Sequence, residues 1–258
     1  MKAMWQSFLK YRYLLENLIK RDLKVKYRRS ALGILWSMLN PLLMMIILSA
    51  VFSYMFKSAI EHYAVYLMIG QLVFGFFNES TTSAMTSVLS AAPLLKKVYV
   101  PKYIFPMEKV LFSLINTIFT SIALLTVMVY SGISFSVSVI CVPAIIGMLT
   151  IFNIGVSLLL SSLTVFFRDI IHLYGVLTMA LMYFTPIIYP VSQLPEFMQS
   201  VIIINPLYWY VETTRDVLMV GVFPTFNQWV ACFSCAIISI VIGLIVFKKQ
   251  QDKFILYV

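Results

Sequence analysis

The chain has 258 residues, 61% of them hydrophobic and only 11% charged. Soluble globular domains carry about 25% charged residues, so composition excludes a soluble fold: the bilayer is the solvent, and the length leaves room for one membrane domain. The formal net charge of +9 does not point to nucleic acid, because the basic residues sit in short clusters between apolar runs, as they do in cytoplasmic loops of membrane proteins.

Residues 1–30 hold nine basic side chains, among them Lys24, Lys26, Arg28 and Arg29. Tyr11, Leu14, Leu15 and Leu18 recur at helical spacing, and Glu16–Lys20 and Asp22–Lys26 are favourable i,i+4 pairs. This spacing predicts an amphipathic helix lying in the cytoplasmic interface; the plainer reading is a basic topogenic tail. No cleavable signal peptide is visible in this basic, polar stretch. Residues 31–56 carry no charge, enough for a first span at about 20 residues per crossing. Asn40-Pro41 inside it should kink it, since proline removes a backbone donor. Lys57, Glu61 and His62 form a short external loop.

A second span is expected over 63–84, running inward to the polar stretch that starts at Asn78-Glu79-Ser80. The segment 91–105 follows, with Pro93 and Pro101 bracketing a short basic piece, Leu94-Leu95-Lys96-Lys97-Val98-Tyr99-Val100, on the cytoplasmic side. From Val110 to Phe167 no Asp, Glu, Lys or Arg occurs over 58 residues. At about 1.5 Å per residue this is far longer than a bilayer, so it must fold back. Ser131-Gly132-Ile133-Ser134 is the natural turn between spans at 110–130 and 137–163. Phe166-Phe167-Arg168-Asp169 makes a cytoplasmic corner before a fifth span at 170–189. Residues 192–221 are broken by prolines; Phe197–Val211 is too short to cross and fits a re-entrant or interfacial helix pair. The last span is 227–247. With the N-terminus inside and six spans, 17 of the 19 basic residues fall on the cytoplasmic side, where the positive-inside rule places them. Both termini are then cytoplasmic.

Little here supports catalysis. No G-x-x-x-x-G-K-[ST] phosphate loop is present, so the chain does not hold ATP in that way. His62 and His172 sit near opposite membrane faces and cannot share a metal. Cys232 and Cys235 read as C-x-x-C, but with no His or further Cys nearby they are small helix-face residues; Cys141 lies in another apolar run. Glu79 is the one candidate for an ion-coupling acid; about 24 Å along its helix, it lies near the inner boundary and reads equally as a pore-mouth carboxylate. Glu212 and Arg215 are i,i+3 and can pair. In an apolar segment such charges face water or one another, which suits an aqueous exit or a protein seam; the plainer reading is an exposed outer helix. The dense aromatics (Phe74, Phe76, Phe77; Tyr183, Phe184, Tyr189; Tyr208, Trp209, Tyr210) read as an interfacial belt or as ring faces lining a path for a sugar chain.

The run Arg21-Asp22-Leu23-Lys24-Val25-Lys26-Tyr27-Arg28-Arg29-Ser30-Ala31-Leu32-Gly33-Ile34-Leu35-Trp36-Ser37, continued by Asn40-Pro41-Leu42, resembles the opening of ABC-2 type permeases that export lipid-linked polysaccharides. So do Phe166-Phe167-Arg168-Asp169-Ile170, Thr185-Pro186-Ile187-Ile188-Tyr189 and Asn205-Pro206-Leu207, in the family's order across almost the whole chain. The resemblance is nearest to O-antigen and teichoic-acid exporter permeases. It implies an all-α polytopic fold of six transmembrane helices with an N-terminal interface helix and re-entrant outer helices before the last span.

It also implies a homodimer served by two copies of a separate nucleotide-binding ATPase subunit, which carries ATP and Mg; this chain itself binds no cofactor. The ATPase would meet the N-terminal helix and Pro93, Leu94, Leu95, Lys96, Lys97, Val98, Tyr99 and Pro101, with Arg168 and Asp169 at the neighbouring corner. Lys24, Lys26, Arg28 and Arg29 would face a lipid pyrophosphate or anionic membrane lipids. Phe74, Phe77, Glu79, Tyr183, Phe184, Tyr189, Tyr208, Trp209, Glu212 and Arg215 would belong to the channel or outer gate. The location implied is the bacterial cytoplasmic membrane. An ABC-2 exporter of a small molecule, and an ion-driven lipid-linked-sugar flippase needing more buried charge than this chain offers, stay open as alternatives.

Overall fold

A computed structural model describes the backbone of residues 2–28, 30, 32–56 and 60–257, with side chains described for 11–28, 30, 32–52, 60–254 and 256–257. Arg29 and Lys57 lie outside the described residues. In chain order the helices are α1 (Lys2–Tyr27), α2 (Trp36–Phe56), α3 (Tyr63–Met85), α4 (Ser87–Ser90), α5 (Ala92–Leu95), α6 (Ile104–Tyr130), α7 (Val142–Phe166), α8 (Ile170–Phe184), α9 (Glu196–Ile202), α10 (Pro206–Arg215), α11 (Phe226–Gln250) and α12 (Phe254–Tyr257). No strand occurs among the described residues. Among the described residues four stretches are long and apolar enough to cross a membrane: Gly33–Phe52, Ile104–Tyr130, Val137–Phe166 and Phe226–Lys253. The expected third and fourth spans therefore sit in longer helices. The other two expected spans differ in kind: α3 turns a polar last third into the bundle, and α8 stops after 15 residues.

The helix α3 is central because it is buried along most of its length, against α2, α6, α7 and α10. Its polar end is accommodated locally: Ser80 Oγ and Thr81 Oγ1 donate to the Phe77 carbonyl at 3.0 and 2.7 Å, and Tyr174 OH of α8 reaches Thr81 Oγ1 at 2.7 Å. Returning hydroxyls to the preceding turn is how such side chains are satisfied inside a helix bundle. The amphipathic pattern of α1 buries Leu15 and Leu18 against Ala91, Val100, Ile104 and Phe105. By contrast α2, with Pro41 inside it, turns most of its apolar surface outward, as a helix bathed in lipid does.

The tightest seam joins α7 to α11. A Cβ placed on Gly155 would overlap the backbone of Ser239, and one on Gly243 would overlap the carbonyl of Gly155. Ser239 Oγ donates to the Phe152 carbonyl at 2.7 Å. Small residues at a crossing let backbones approach and supply the packing that lipid does not.

Two prolines set the break after α8. Thr185 precedes Pro186 and is extended (φ −97°, ψ 126°), the conformation that a following proline enforces; α8 ends there rather than at Tyr189. Asn205 precedes Pro206 and caps α10, accepting from the Leu207 N–H at 3.0 Å, with proline at the first helical turn where no donor is needed. The proline-broken stretch thus folds as two short helices, α9 and α10, and a five-residue π turn, Asp216–Val220. Thr225 and Gln228 then form a reciprocal capping box that starts α11.

Candidate functional site: a lengthwise cleft, a carbonyl clamp and a basic face

Helices α2, α3 and α8, with the end of α1, enclose a cleft of about 810 Å³. Its lining runs along α2 from Trp36 and Ser37 to Phe52, about 24 Å at 1.5 Å per residue. The walls are apolar and aromatic, including Met44, Leu48, Phe74, Tyr183, Ile187 and Ile188. One end is polar. There Glu79 Oε1 accepts from Lys26 Nζ at 2.8 Å and from Asn116 Nδ2 at 3.0 Å. Tyr27 OH donates to Asn116 Oδ1 at 3.2 Å and is hydrogen-bonded to Ser37 Oγ. Four helices, α1, α2, α3 and α6, therefore meet in one hydrogen-bonded knot at the cleft's charged end.

Lys26 and Glu79, expected apart as a head-group ligand and a channel carboxylate, are brought together. Lys24 and Arg28 remain exposed on α1. Side chains of both Lys26 and Glu79 are more than a third exposed, so solvent screens the pair and its direct contribution is about 0.2–1 kcal/mol. Its larger consequence is charge sign at the cleft mouth. Glu79→Lys, which sets two ammonium groups side by side, is expected to destabilise the contact of α1 with α3 more than Glu79→Gln, and the swap Lys26→Glu/Glu79→Lys to recover most of it; thermal unfolding in detergent reads the order.

Nearby, α1 is pinned to α6 by Asp22, which pairs with Lys109 and, at 2.8 Å, with Arg21. Burial pushes the Asp22 carboxyl up, but the hydrogen bonds and charges of Lys109 and Arg21 outweigh it and hold the group below its ordinary 3.8. A depressed acid contributes stability above its unfolded pKa and loses it as pH falls through the folded value. Protection of α1 amides, corrected for the intrinsic exchange rate at each pH, is therefore expected to fall as pH drops below about 4, and Asp22→Asn to start from the lowered protection and to lack that acid step.

At the opposite end of α3 a second arrangement holds the broken backbone after α8. Arg215 is 4% exposed. Its Nη2 donates to the carbonyls of Tyr66 and Ile187 at 3.3 and 3.2 Å, its guanidinium carbon lies 3.4 Å from the centroid of the Tyr66 ring, and Glu212 is 3.7 Å away. Tyr63 OH donates to the Ile188 carbonyl at 2.7 Å and Tyr66 OH to that of Tyr189 at 2.9 Å, while Asn205 Nδ2 reaches Thr185 Oγ1 at 2.9 Å. Gly70 leaves the necessary room, since a Cβ there would stand 3.1 Å from Arg215 Nη2. Carbonyls freed where a helix breaks inside a bilayer must find donors within the protein, and here two tyrosines and an arginine supply them. Arg215, expected at an exit or seam, is thus enclosed within this chain.

The remaining aromatics divide. Phe77 is buried, and its ring continues through Phe152 (5.9 Å between centroids) to Tyr210 (5.7 Å) across the core. Phe74 is buried yet borders the cleft. Tyr183 and Phe184 are exposed, and Tyr189 OH donates to the Tyr183 carbonyl. Tyr208 and Trp209 pack edge to face, and Trp209 Nε1 donates to the Ile203 carbonyl at 2.9 Å.

At the end of the bundle that carries α1, the connection from α5 to α6 presents Pro93, Leu94, Lys96, Lys97, Val98 and Tyr99 outward, Tyr99 being 88% exposed; Leu95 and Pro101 are half-buried. Arg168 and Asp169 are exposed just after Phe166, which packs in the same cluster as Leu95. Among the described residues no group of three His, Cys, Asp or Glu side chains gathers as a metal site. Sequence reasoning missed Asn116, Tyr27 and Ser37 at the cleft, Tyr63 and Tyr66 in the clamp, and Lys109 under α1. Asn116 had a usable signal, being one of two asparagines in the charge-free stretch 110–167.

The pattern of the family described as ABC-2 type transporter matches residues 13–219. Among named proteins, the chain is 31% identical over 242 residues to an O-antigen export system permease protein RfbA from Klebsiella pneumoniae, covering 93% of each chain. It is 24% identical to the protein of the same name from Myxococcus xanthus, over 96% of each. It is 20% identical to the polysialic acid transport protein KpsM of Escherichia coli, over 93% of this chain and 94% of that one.

Proposed function

The chain belongs to the ABC-2 type transporter family, and from that premise we propose that it is the channel-forming permease subunit of an ATP-driven exporter moving a lipid-linked polysaccharide, of the O-antigen or teichoic-acid kind, across the bacterial cytoplasmic membrane. The observation that carries this reading is the cleft. It extends over most of a crossing, since a hydrocarbon core is about 30 Å thick, with a charged, hydrogen-bonding end and aromatic walls. An amphiphile with a phosphate head and a sugar chain matches that polarity: the head at Lys26, the lipid along α2, the sugars against ring faces that stack without demanding one sequence. The names of the full-length relatives support the polymer class.

In this reading α3 and α8 complete six crossings. The α9–α10 pair and the π turn form a re-entrant outer segment, with Tyr208, Trp209 and Glu212 at the outer gate. Two copies face each other so that two open clefts make one channel. Each copy takes one ATPase subunit, carrying ATP and Mg, on the exposed 93–101 connection and the outer face of α1, with Arg168 and Asp169 at the rim. Both chain ends and all these docking elements lie on the cytoplasmic side, and Lys24 and Arg28 face anionic head groups, each contributing about 1 kcal/mol near such a surface. Glu79 is paired with Lys26 and Asn116 rather than standing as a lone acid, which favours the ATP-driven reading over the ion-driven one.

The test is photo-crosslinking. A photoreactive amino acid at Trp36 or Met44 is expected to capture a radiolabelled lipid-linked oligosaccharide, and one at the outward-facing Val241 of α11 is not. Equal capture at all three positions, or none at the cleft, contradicts the substrate path.

A further inference from the structure

The segment after α11 does not run free. Residues 251–253 turn, and Phe254 of α12 is 0% exposed. Its ring packs against Phe247 (5.3 Å between centroids) and Phe166 (5.9 Å), and Tyr257 closes on Phe166 at 4.9 Å. Around Phe254 stand Val165 of α7 and Val88 of α4, with Leu95 and Tyr103 against the same cluster. Leu95 and Tyr103 are the two shoulders of the exposed connection whose tip is Val98 and Tyr99. Lys102 ties the second shoulder down: its Nζ donates to the Gln251 carbonyl at 2.5 Å and lies 5.9 Å from the Phe254 ring centroid. Gln250 in turn accepts from Ser162 of α7 at 2.6 Å.

We propose that this hook, residues 251–257, is a strut that fastens the α5–α6 connection to the α7–α11 pair, so that movement imposed on the connection by a docked partner enters those two helices. The inference rests on the reading above, in which an ATPase subunit docks on that connection. The mechanics follow from the packing. The connection has two routes into the bundle. One passes through Ala91, Val100 and Ile104 to α1 and α6. The other passes through Lys102, and through Leu95 and Tyr103, which also pack against the first cluster, to Phe254, and thence to Phe166 and Phe247 near the ends of α7 and α11. Those two helices meet backbone to backbone at Gly155 and Gly243, so they move as one body. The hook is the part of the second route that no span requires: removing it leaves α7, α11 and the exposed tip in place and loosens the link between them. Coupling of this kind needs an element with discrete packed arrangements rather than a compliant surface, and a ring fully enclosed by two others provides one.

The experiment measures ATP hydrolysis and polymer export together in proteoliposomes holding the permease with its ATPase. The chain ending at Gln250 and the Phe254→Ala variant are expected to retain the ATPase subunit and to hydrolyse ATP, while export per ATP falls about tenfold, within the usual range for coupling between sites. Phe254→Leu, which refills most of the space, is expected to recover most of that ratio. Unchanged export per ATP in both impaired variants overturns the strut, as does a fall in hydrolysis and export in the same proportion. If the shortened chain does not accumulate, Lys102→Ala decides: it removes the hydrogen bond to Gln251 and the ammonium beside the Phe254 ring while keeping the packed rings of the hook, and an unaltered ratio there also overturns the proposal. A parent chain that brings down no ATPase defeats the docking reading itself, an outcome distinct from a docked but normally coupled variant.

Discussion

Replacing Arg215 by alanine is expected to lower the stability of the purified protein by about 2–5 kcal/mol, the usual cost of truncating a large buried side chain. The guanidinium does three things from one position: it donates to two carbonyls, covers the Tyr66 ring and faces Glu212. Alanine leaves the Ile187 carbonyl short of a donor and Glu212 without its counter-charge. Arg215→Lys keeps a cation near the ring but loses the planar guanidinium that lies over it, and is expected to fall between. Tyr66→Phe removes the hydroxyl that reaches the Tyr189 carbonyl and keeps the ring, so its loss is smaller, about 1–3 kcal/mol for one unsatisfied buried group. Thermal unfolding in detergent gives the order, and protease sensitivity of 185–190 shows where the chain opens. An Arg215→Ala protein as stable as the parent, with that segment still resistant, contradicts the clamp.

The other large effect is expected at Gly155. Its missing Cβ is what lets α7 lie against Ser239, and the obstacle is backbone, which cannot rotate aside. Overpacking a core ordinarily costs about 1–3 kcal/mol when side chains can adjust; Gly155→Leu is expected to exceed that and to abolish folded protein, with Gly155→Ala already reducing it strongly. Gly147 stands on the same helix with nothing near its would-be Cβ. Gly147→Ala is expected to be neutral or to stabilise by up to about 1 kcal/mol through helix propensity. Monodisperse yield on size exclusion, compared across the three variants, checks both statements.

The helices themselves were legible because bilayer crossing leaves a coarse mark: charge-free runs, basic clusters on one side, prolines and Ser-Gly turns between them. Thus α2, α6, α7 and α11 follow the apolar runs closely, and the Asn-Pro pair at 205–206 marks the start of α10. Boundaries erred where charge was taken for a helix end. The helix α6 begins at Ile104, before Glu108 and Lys109, because those two charges are met by one another and by Asp22 of α1. Tyr189 was read as the end of α8, although Thr185-Pro186 already forces an extended residue.

The candidate site was less visible. Lys26 and Glu79 are 53 residues apart, and nothing local announces their meeting. The clamp is harder still, because most of its acceptors are backbone carbonyls, present at every residue and so absent from any residue pattern. Arg215 could be marked as a costly charge in an apolar stretch, but its partners at Tyr66 and Ile187 follow only from how α3 passes the break. Phe254 was one more aromatic near a lysine cluster until the rings of Phe166 and Phe247 closed around it.

Reconstitution separates an ATP-driven permease from an ion-driven carrier. The permease is placed in liposomes with and without its co-purified ATPase, a lipid-linked oligosaccharide is supplied on the ATPase side, and its appearance on the other side is followed. Transport is expected only with the ATPase and ATP, and is expected to be lost, together with the bound ATPase, when Lys96, Lys97 and Tyr99 are replaced by alanine. Transport by the chain alone, driven by an ion gradient and indifferent to ATP, contradicts the account.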